Sequence, residues 1–218
     1  MKRRHFLETS TAAAFATLAG QIRAATPAGK APHIVLRSSW QTVNIGDIAH
    51  TPGVLHLLEK HLPEAQVTLW PSDIGNGVKE MLQKRFPKVI IRERSAENIK
   101  KIFAECDFLL HGSGPSLVAQ NDVAKWHKET GKPYGIYGIT FAVRGSTSTK
   151  DAAPERTQKT ISVFNEAKFT FFRDTVSLAL AKELGCTCPI MEFGPDGAFA
   201  CDVRNDEAAE KFLKANGL

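Results

Sequence analysis

The sequence predicts an α/β fold in which a doubly wound, mostly parallel sheet carries helices on both faces. Short apolar runs alternate with segments of helical spacing along most of the 218 residues. Strands separated by helices pair in parallel through right-handed crossovers, which place helices on both faces of the sheet. A hydrophobic content of 43%, a charged content of 23% and the lack of low-complexity tracts are typical of one globular domain, with or without an appendage.

Seven apolar runs are predicted to be strands, and seven intervening segments are predicted to be helices. Apolar side chains at helical spacing between Val54 and Leu62 indicate the first helix, Ser95 is a natural cap for the third, and Gly185 ends the sixth. The strands are predicted at residues 33–38, 66–70, 88–93, 106–112, 133–139, 168–174 and 188–193. The helices are predicted at residues 53–62, 77–86, 95–105, 118–130, 156–167, 175–185 and 205–217.

The first 25 residues match the pattern of a twin-arginine export signal. The pair Arg3 and Arg4 precedes Phe6 and an Ala-rich run. This run is too short and too rich in Ala and Thr for a membrane-spanning helix. We therefore expect twin-arginine export to the periplasm or another extracytoplasmic compartment, cleavage after Ala24 or Ala25, and no stable membrane insertion afterwards. The alternative is an amphipathic N-terminal helix of a cytoplasmic protein.

A linker rich in Pro, Ala and Gly at residues 26–32 precedes one α/β domain, predicted to cover residues 33–218. The formal charge of +5 falls to about +2 without the signal, because four basic residues and one acidic residue leave with it. The remaining Lys and Arg residues are balanced by Asp and Glu and form no basic stripe. We therefore expect no nucleic-acid partner.

The cysteines and histidines show no metal-site pattern, so no metal is expected. Cys106 lies in a predicted buried strand and is interpreted as an inert core thiol. Cys201 can pair with Cys186 or Cys188 in an exported protein, and free thiols are equally open. A C-x-C pair with a lone third cysteine is poor spacing for zinc. The histidines without ligand spacing are His33, His50, His56, His61 and His127.

Five loops that follow predicted strands are rich in glycine, hydroxyl groups and charge. Ligands of doubly wound sheets bind in the crevice beyond the carboxyl ends of the strands, which is where these loops meet. The sequence therefore favours a binding crevice at this rim over turn chemistry alone. The loops are SSWQTVNIGDIAHTPG, HGSGPSLV, TFAVRGSTS, RDTVS and GPDGAF.

The order and spacing of NIGD, HGSGPSL, FFRDTVSLALAKELG and GPDGAF resemble those of the polysaccharide pyruvyl transferase family, over about residues 33–200. The resemblance implies one Rossmann-like half of a two-domain, glycosyltransferase-B-like architecture. It also implies transfer of the enolpyruvyl carbons of phosphoenolpyruvate, as donor substrate, to a glycan diol as a pyruvate ketal, without a further cofactor.

Two features depart from the family pattern. The mid-domain loop normally begins with consecutive glycines, whereas here it begins with His111. Family members continue into a second α/β domain with Arg and His residues linked to phosphoenolpyruvate, and that domain is absent from this sequence, which ends at Leu218. The expectation is a truncated transferase or a domain that acts alone, with a homodimer as one way to supply the second wall of a cleft.

The resemblance assigns Asn44, Gly46 and Asp47 to the first substrate loop. Their functional interpretation is phosphate or acceptor positioning by backbone amides at a helix start, with Asp47 as a catalytic base or hydrogen-bond acceptor. The structural interpretation is that Asp47 caps the helix and Gly46 permits an unusual backbone angle. Both interpretations are open.

The resemblance also assigns the mid-domain loop. Gly112, Ser113 and Gly114 are expected to cradle an anion with successive amides, unless the glycines serve close packing. His111 is a candidate catalytic proton donor, although a structural histidine is the commoner case.

Three further residues are candidate substrate contacts. Arg173 is placed to reach a phosphate or to pair with its neighbour Asp174, which is expected to cap a helix. Asp196 is either an acceptor for sugar hydroxyls or a turn residue. Arg144 is a candidate movable anion contact in its loop or a solvated side chain.

Three functions are therefore open. The first is pyruvyl transfer from phosphoenolpyruvate to an envelope or extracellular glycan. The second is a non-catalytic, exported carbohydrate- or anion-binding module on the same half-fold. The third is a fragment of a glycosyltransferase that uses a nucleotide sugar, an inference by architecture alone.

Overall fold

The computed structural model describes residues 3–142 and 155–218 of the chain. Its sheet has seven strands in the order β3-β2-β1-β4-β5-β6-β7, and every neighbouring pair is parallel. The predicted doubly wound parallel sheet is confirmed. The strands are β1 (His33–Ser38), β2 (Gln66–Pro71), β3 (Ile90–Ile91), β4 (Phe108–His111), β5 (Tyr134–Ile139), β6 (Thr170–Phe172) and β7 (Met191–Phe193).

The predicted helices also form, and the main difference lies at the start of α2. The helix begins at Ile45 rather than at residue 53, because the Asn44 side chain accepts a hydrogen bond from the Gly46 amide and caps it. The helices are α1 (Arg3–Ala25), α2 (Ile45–His61), α3 (Val78–Arg85), α4 (Ala96–Glu105), α5 (Gln120–Thr130), α6 (Glu155–Glu166), α7 (Thr175–Glu183), a short 3-10 helix (Gly197–Ala200) and α8 (Asp206–Ala215).

The strand order reverses between β1 and β4, so the crossover helices divide between the two faces of the sheet. On the first face, α2 and α3 pack over the sheet through Leu58 and Leu82. On the second face, α4 to α7 pack through side chains that include Trp126 and Phe164. The point of reversal is the place where a doubly wound sheet opens a crevice at its carboxyl rim.

Helix α1 covers the part of the first face that no crossover helix reaches. Phe15, Leu18 and Ile22 are fully buried against this face. The Phe15 ring meets the Tyr137 ring of β5 edge to face, with 4.7 Å between centroids. Arg23 pairs with Glu64 across 2.8 Å. The segment predicted as an export signal thus forms a helical layer of this fold, and its role in export stays a prediction.

Two further observations concern the chain as a whole. Among the described residues, no helix combines the length and apolar character that crossing a lipid bilayer requires. The four cysteines are free thiols: Cys106 and Cys188 are buried, Cys186 is half-buried and Cys201 is exposed.

Candidate active site at the carboxyl rim

A cluster of polar side chains joins α2 to the loops after β4, β5, β6 and β7. The His50 Nδ1 atom lies 2.7 Å from Asp196 Oδ1 and 3.0 Å from Ser113 Oγ. Arg173 donates to Asp196 Oδ2 across 2.6 Å and to Thr140 Oγ1 across 2.7 Å. We call these five residues the His50 cluster. It unites Ser113, Arg173 and Asp196, three of the residues that the sequence singled out.

Asp196 is ionised and held by several donors. Burial alone raises the pKa of its carboxyl, but the hydrogen bond and charge of His50, the Ala198 amide and the Arg173 guanidinium outweigh burial and lower that pKa to about 2. The Ala198 amide donates across 2.9 Å and fixes the start of the 3-10 helix. A carboxylate held in this way accepts hydrogen bonds and donates none.

The state of Asp196 fixes the tautomer of the His50 ring. Because the carboxylate only accepts, the Nδ1 atom carries the hydrogen in the neutral ring, and its Nε2 atom keeps a free lone pair. Both hydrogen bonds of the ring are made at Nδ1, and Nε2 has no partner among the described residues. An imidazole oriented at Nδ1 by a carboxylate is the usual arrangement of a catalytic base that acts through Nε2.

The sequence alone did not single out His50 as a site residue. Its carboxylate partner lies 146 positions away along the chain, so no local spacing connects the two. One feature of the sequence could have indicated His50: it follows Asp47 by three residues, so it lies about one turn further along the same helix.

The NIGD residues, 44–47, form the start of α2. Asn44 is the N-cap, and Ile45, Gly46 and Asp47 form the first turn of the helix rather than a loop. Asp47 is buried, and its Oδ2 atom accepts a hydrogen bond from the Gln41 side chain. No hydrogen bond joins Asp47 to the His50 cluster within the described part of the chain, and its catalytic role stays a prediction.

The glycines of the mid-domain loop serve close packing. A Cβ atom on Gly112 would lie 2.8 Å from Ser38 Oγ, and one on Gly114 would lie 2.6 Å from Trp40 Nε1. The Gly112 amide donates to the Arg37 carbonyl and the Gly114 amide to the Gly138 carbonyl. These two amides are thus engaged within the sheet and do not face an anion in this conformation.

His111 is enclosed at the end of β4. Its ring stacks on the Trp40 ring with 4.7 Å between centroids, and its Nε2 atom accepts from the Ala119 amide. Burial, followed by the charge of Arg37, lowers the pKa of His111 to about 3, so the ring is neutral near pH 7. Donation of a proton by His111 stays a prediction.

The RDTVS segment combines a cap with a loop anchor. The Asp174 carboxylate accepts from the Ser177 amide across 2.7 Å and caps α7, as its structural interpretation predicts. The Ser177 hydroxyl in turn accepts from the Phe141 amide across 2.8 Å.

Arg144, the predicted movable anion contact, lies outside the described residues. In the described segments, no group of three or more His, Cys, Asp or Glu residues is arranged to hold a metal ion.

The chain is similar to solved protein structures, and no curated protein sequence matches it. A similar solved structure is the 2.2 Å crystal structure of a protein from Listeria monocytogenes described as "putative UDP-N-acetylglucosamine 2-epimerase", with a TM-score of 0.48 and 15% sequence identity. The similarity covers 75% of this chain and 44% of that chain, so this chain spans less than half the length of that protein.

A family profile gives a more specific match. The profile described as polysaccharide pyruvyl transferase matches residues 44–215. This range begins at the Asn44 cap of α2, ends within α8 and includes every residue of the His50 cluster. Because the match covers well over half of the sequence, the chain belongs to the polysaccharide pyruvyl transferase family.

Proposed function

We propose that this chain takes part in pyruvyl transfer from phosphoenolpyruvate to two hydroxyl groups of a glycan, with His50 as the acid–base residue. Membership of the family supports the reaction class. The observation that supports His50 is the 2.7 Å hydrogen bond between its Nδ1 atom and Asp196, which leaves Nε2 as the base.

The proposed reaction starts with addition of a hydroxyl group across the enol double bond. The imidazolium form of His50 donates its Nε2 proton to C3 of phosphoenolpyruvate, which becomes the methyl group as the double-bond electrons form the new C–H bond and leave C2 electron-deficient. The oxygen of the first sugar hydroxyl bonds to C2, and its proton passes to His50 Nε2. Asp196 stabilises the imidazolium that exists before and after these two transfers, and Arg173 holds Asp196 in place.

The second half of the reaction closes the ketal. The bond between C2 and the phosphate oxygen breaks, and phosphate leaves with the electron pair. The second sugar hydroxyl bonds to C2, and its proton passes to phosphate or solvent. The products are one pyruvate ketal and one inorganic phosphate. In this proposal, the donor is held by a second domain of the family type or by a second copy of the chain.

The test is transfer by the full chain, with and without the His50 side chain. Phosphate release from phosphoenolpyruvate in the presence of glycan acceptors is measured together with the ketal methyl signal in NMR spectra. We expect His50→Gln to lower kcat by about 100-fold or more. The matched control is His56→Gln, which changes a half-buried histidine of the same helix that pairs with Asp202. An equal loss of kcat in both variants contradicts the role of His50, and so does an unchanged kcat in His50→Gln.

A second function is favoured by the enclosed positions of the other candidate residues. The Gly112 and Gly114 amides bind within the sheet, and His111 is buried beneath Trp40. The predicted twin-arginine export also separates the protein from phosphoenolpyruvate, which is a cytoplasmic metabolite. An exported, non-catalytic carbohydrate- or anion-binding module accounts for both points. Saturable glycan binding measured by calorimetry, without phosphate release or ketal formation, is the outcome that selects this function.

A further inference from the structure

An open cavity lies at the carboxyl rim on the second face of the sheet. It has a volume of about 660 Å³ and lies between the ends of β1 and β2 and the starts of α5 and α6. An adjoining cavity of about 410 Å³ shares Leu117, Gln120 and Arg156 with it. We call the two together the basic crevice. Each of the two cavities is in the size range of pockets that hold small ligands.

The larger cavity carries more positive than negative charge. Arg37 and Arg94 share one carboxylate, that of Asp122, at 3.0 Å and 3.2 Å. Two cations on one carboxylate leave one positive charge uncompensated. A negative ligand is therefore favoured near these two side chains.

The α6 side of the crevice adds a second uncompensated charge. Lys159 pairs with Glu155 at 2.6 Å. Arg156 lines both cavities and has no ion-pair partner among the described residues. Because its planar guanidinium presents donors that match a carboxylate or phosphate, Arg156 is the side chain best placed to bind such a group.

The smaller cavity is different, since Arg156 is the one charged residue that lines it among the described residues. Its wall offers hydroxyl groups, an amide and an aromatic ring, which suit the hydroxyls and apolar face of a neutral sugar. These side chains are Ser116, Gln120, Thr140, Phe141, Thr157 and Thr160. The crevice thus has a charged half beside a neutral, hydroxyl-rich half.

We propose that the basic crevice binds an acidic saccharide. A carboxylate or phosphate group of the ligand lies in the charged half, against Arg156 and the Arg37–Arg94 pair, and a neighbouring neutral part of the sugar chain lies in the other half. Binding itself does not depend on catalysis. That the ligand is the acceptor of pyruvyl transfer rests on the function proposed above. Thr140 is the link, since this residue lines the crevice and its hydroxyl accepts a hydrogen bond from Arg173.

The test is calorimetric binding of four defined probes to the full chain without phosphoenolpyruvate. The probes are a galacturonic acid trisaccharide, the neutral galactose trisaccharide of the same linkage, monomeric galacturonic acid and inorganic phosphate. We expect the acidic trisaccharide to bind at least tenfold more tightly than the neutral one, and more tightly than the acidic monomer or phosphate. Its affinity falls as salt is added, because exposed charges are screened.

Two charge-matched variants locate the site. Arg156→Gln removes an exposed cation of the crevice, and we expect about tenfold weaker binding of the acidic trisaccharide. Lys128→Gln removes an exposed cation of α5 that does not line either cavity, and we expect no change. His50→Gln leaves this binding intact even if it abolishes transfer, so failure of the crevice and failure of the transferase proposal are distinguishable.

Three outcomes overturn the proposal. Equal affinity for the acidic and neutral trisaccharides removes the role of charge. Equal effects of Arg156→Gln and Lys128→Gln place the ligand elsewhere. Phosphate that binds as tightly as the acidic trisaccharide reduces the crevice to a simple anion site without a sugar-binding half.

Discussion

The two sides of the carboxyl rim differ in how their charges are arranged. On the first face, the side chains of the His50 cluster bind one another: Asp196 accepts hydrogen bonds from both His50 and Arg173. On the second face, the basic crevice leaves Arg156 without an ion-pair partner in the described part of the chain. Fixed, mutually bonded groups are suited to acid–base chemistry, whereas uncompensated charge is suited to attracting a ligand.

The comparison also predicts how each side tolerates substitution. The His50 cluster lies in a tightly packed junction between α2 and the 3-10 helix, so changes there are expected to reduce stability. The crevice is lined by exposed cations such as Arg156, so changes there are expected to reduce binding instead. The predictions below test this division, from the largest expected effect to the smallest.

The largest effect is expected from Gly53→Ala, which breaks the junction on the first face. A Cβ atom on Gly53 would overlap the Gly197 carbonyl, so α2 and the 3-10 helix must separate. We expect a loss of about 3 kcal/mol in the free energy of unfolding, measured by denaturant titration. The control is Gly20→Ala in α1, where nothing lies within 4 Å of the added methyl group and helix propensity favours Ala. A loss no larger than that of the control contradicts tight packing at the junction.

The second effect is the acid sensitivity that Asp196 contributes. Its pKa is lowered from 3.8 to about 2 in the folded chain, so its stabilisation is present above pH 4 and is lost as the pH falls towards 2. The shift corresponds to about 2 kcal/mol. We expect Asp196→Asn to remove this contribution. The variant is then less stable than the wild type above pH 4, and the two stabilities approach each other at pH 2. If the free energies of unfolding of the two proteins change in parallel between pH 4 and pH 2, the network around Asp196 does not stabilise the fold.

A third, smaller effect is expected from His111→Phe. The ring stack with Trp40 is kept, while the hydrogen bond from the Ala119 amide is lost, at a cost of about 1 kcal/mol near pH 7. Because the pKa of His111 is lowered to about 3, the wild type loses stability as the pH falls from 6.5 towards 3. The variant lacks this titration, so the difference between the two proteins first shrinks in acid and then reverses, with the variant the more stable protein as the pH approaches 3. Loss of transfer activity in a folded variant identifies a catalytic role for His111 instead.

The smallest effect is expected from Asn44→Ala at the start of α2. The exposed side chain caps the helix through the Gly46 amide, and its loss costs about 0.5 kcal/mol. Asn44→Asp keeps an acceptor at the cap and is expected to retain wild-type stability. If both variants lose glycan binding while their stability is unchanged, Asn44 is a ligand contact rather than a cap.

The fold was predictable from the sequence because its signals are local. The run His33–Ser38 and the Ser95 cap each lie within a few residues, and both elements form as predicted. The start of α2 was missed because Asn44, Gly46 and Asp47 are common in loops as well as in helix caps.

The site was predictable only in part, because its contacts join distant segments. Arg173 and Asp196 were recognisable as rim residues, but His50, the second partner of Asp196, comes from a helix more than 100 residues earlier. The sharing of Asp122 by Arg37 and Arg94 depends in the same way on three separate segments that meet only in the folded chain.

The packing of α1 has a consequence for the order of events during synthesis. Phe15 meets Tyr137, which follows about 120 residues later, so the helix leaves the ribosome well before the strand that it covers. At ordinary elongation rates this interval is on the order of ten seconds. Throughout it, the apolar side of the first helix stays accessible to any receptor that reads the N-terminus. Once β5 is in place, Tyr137 covers Phe15, and the apolar side of the helix is enclosed in the finished domain.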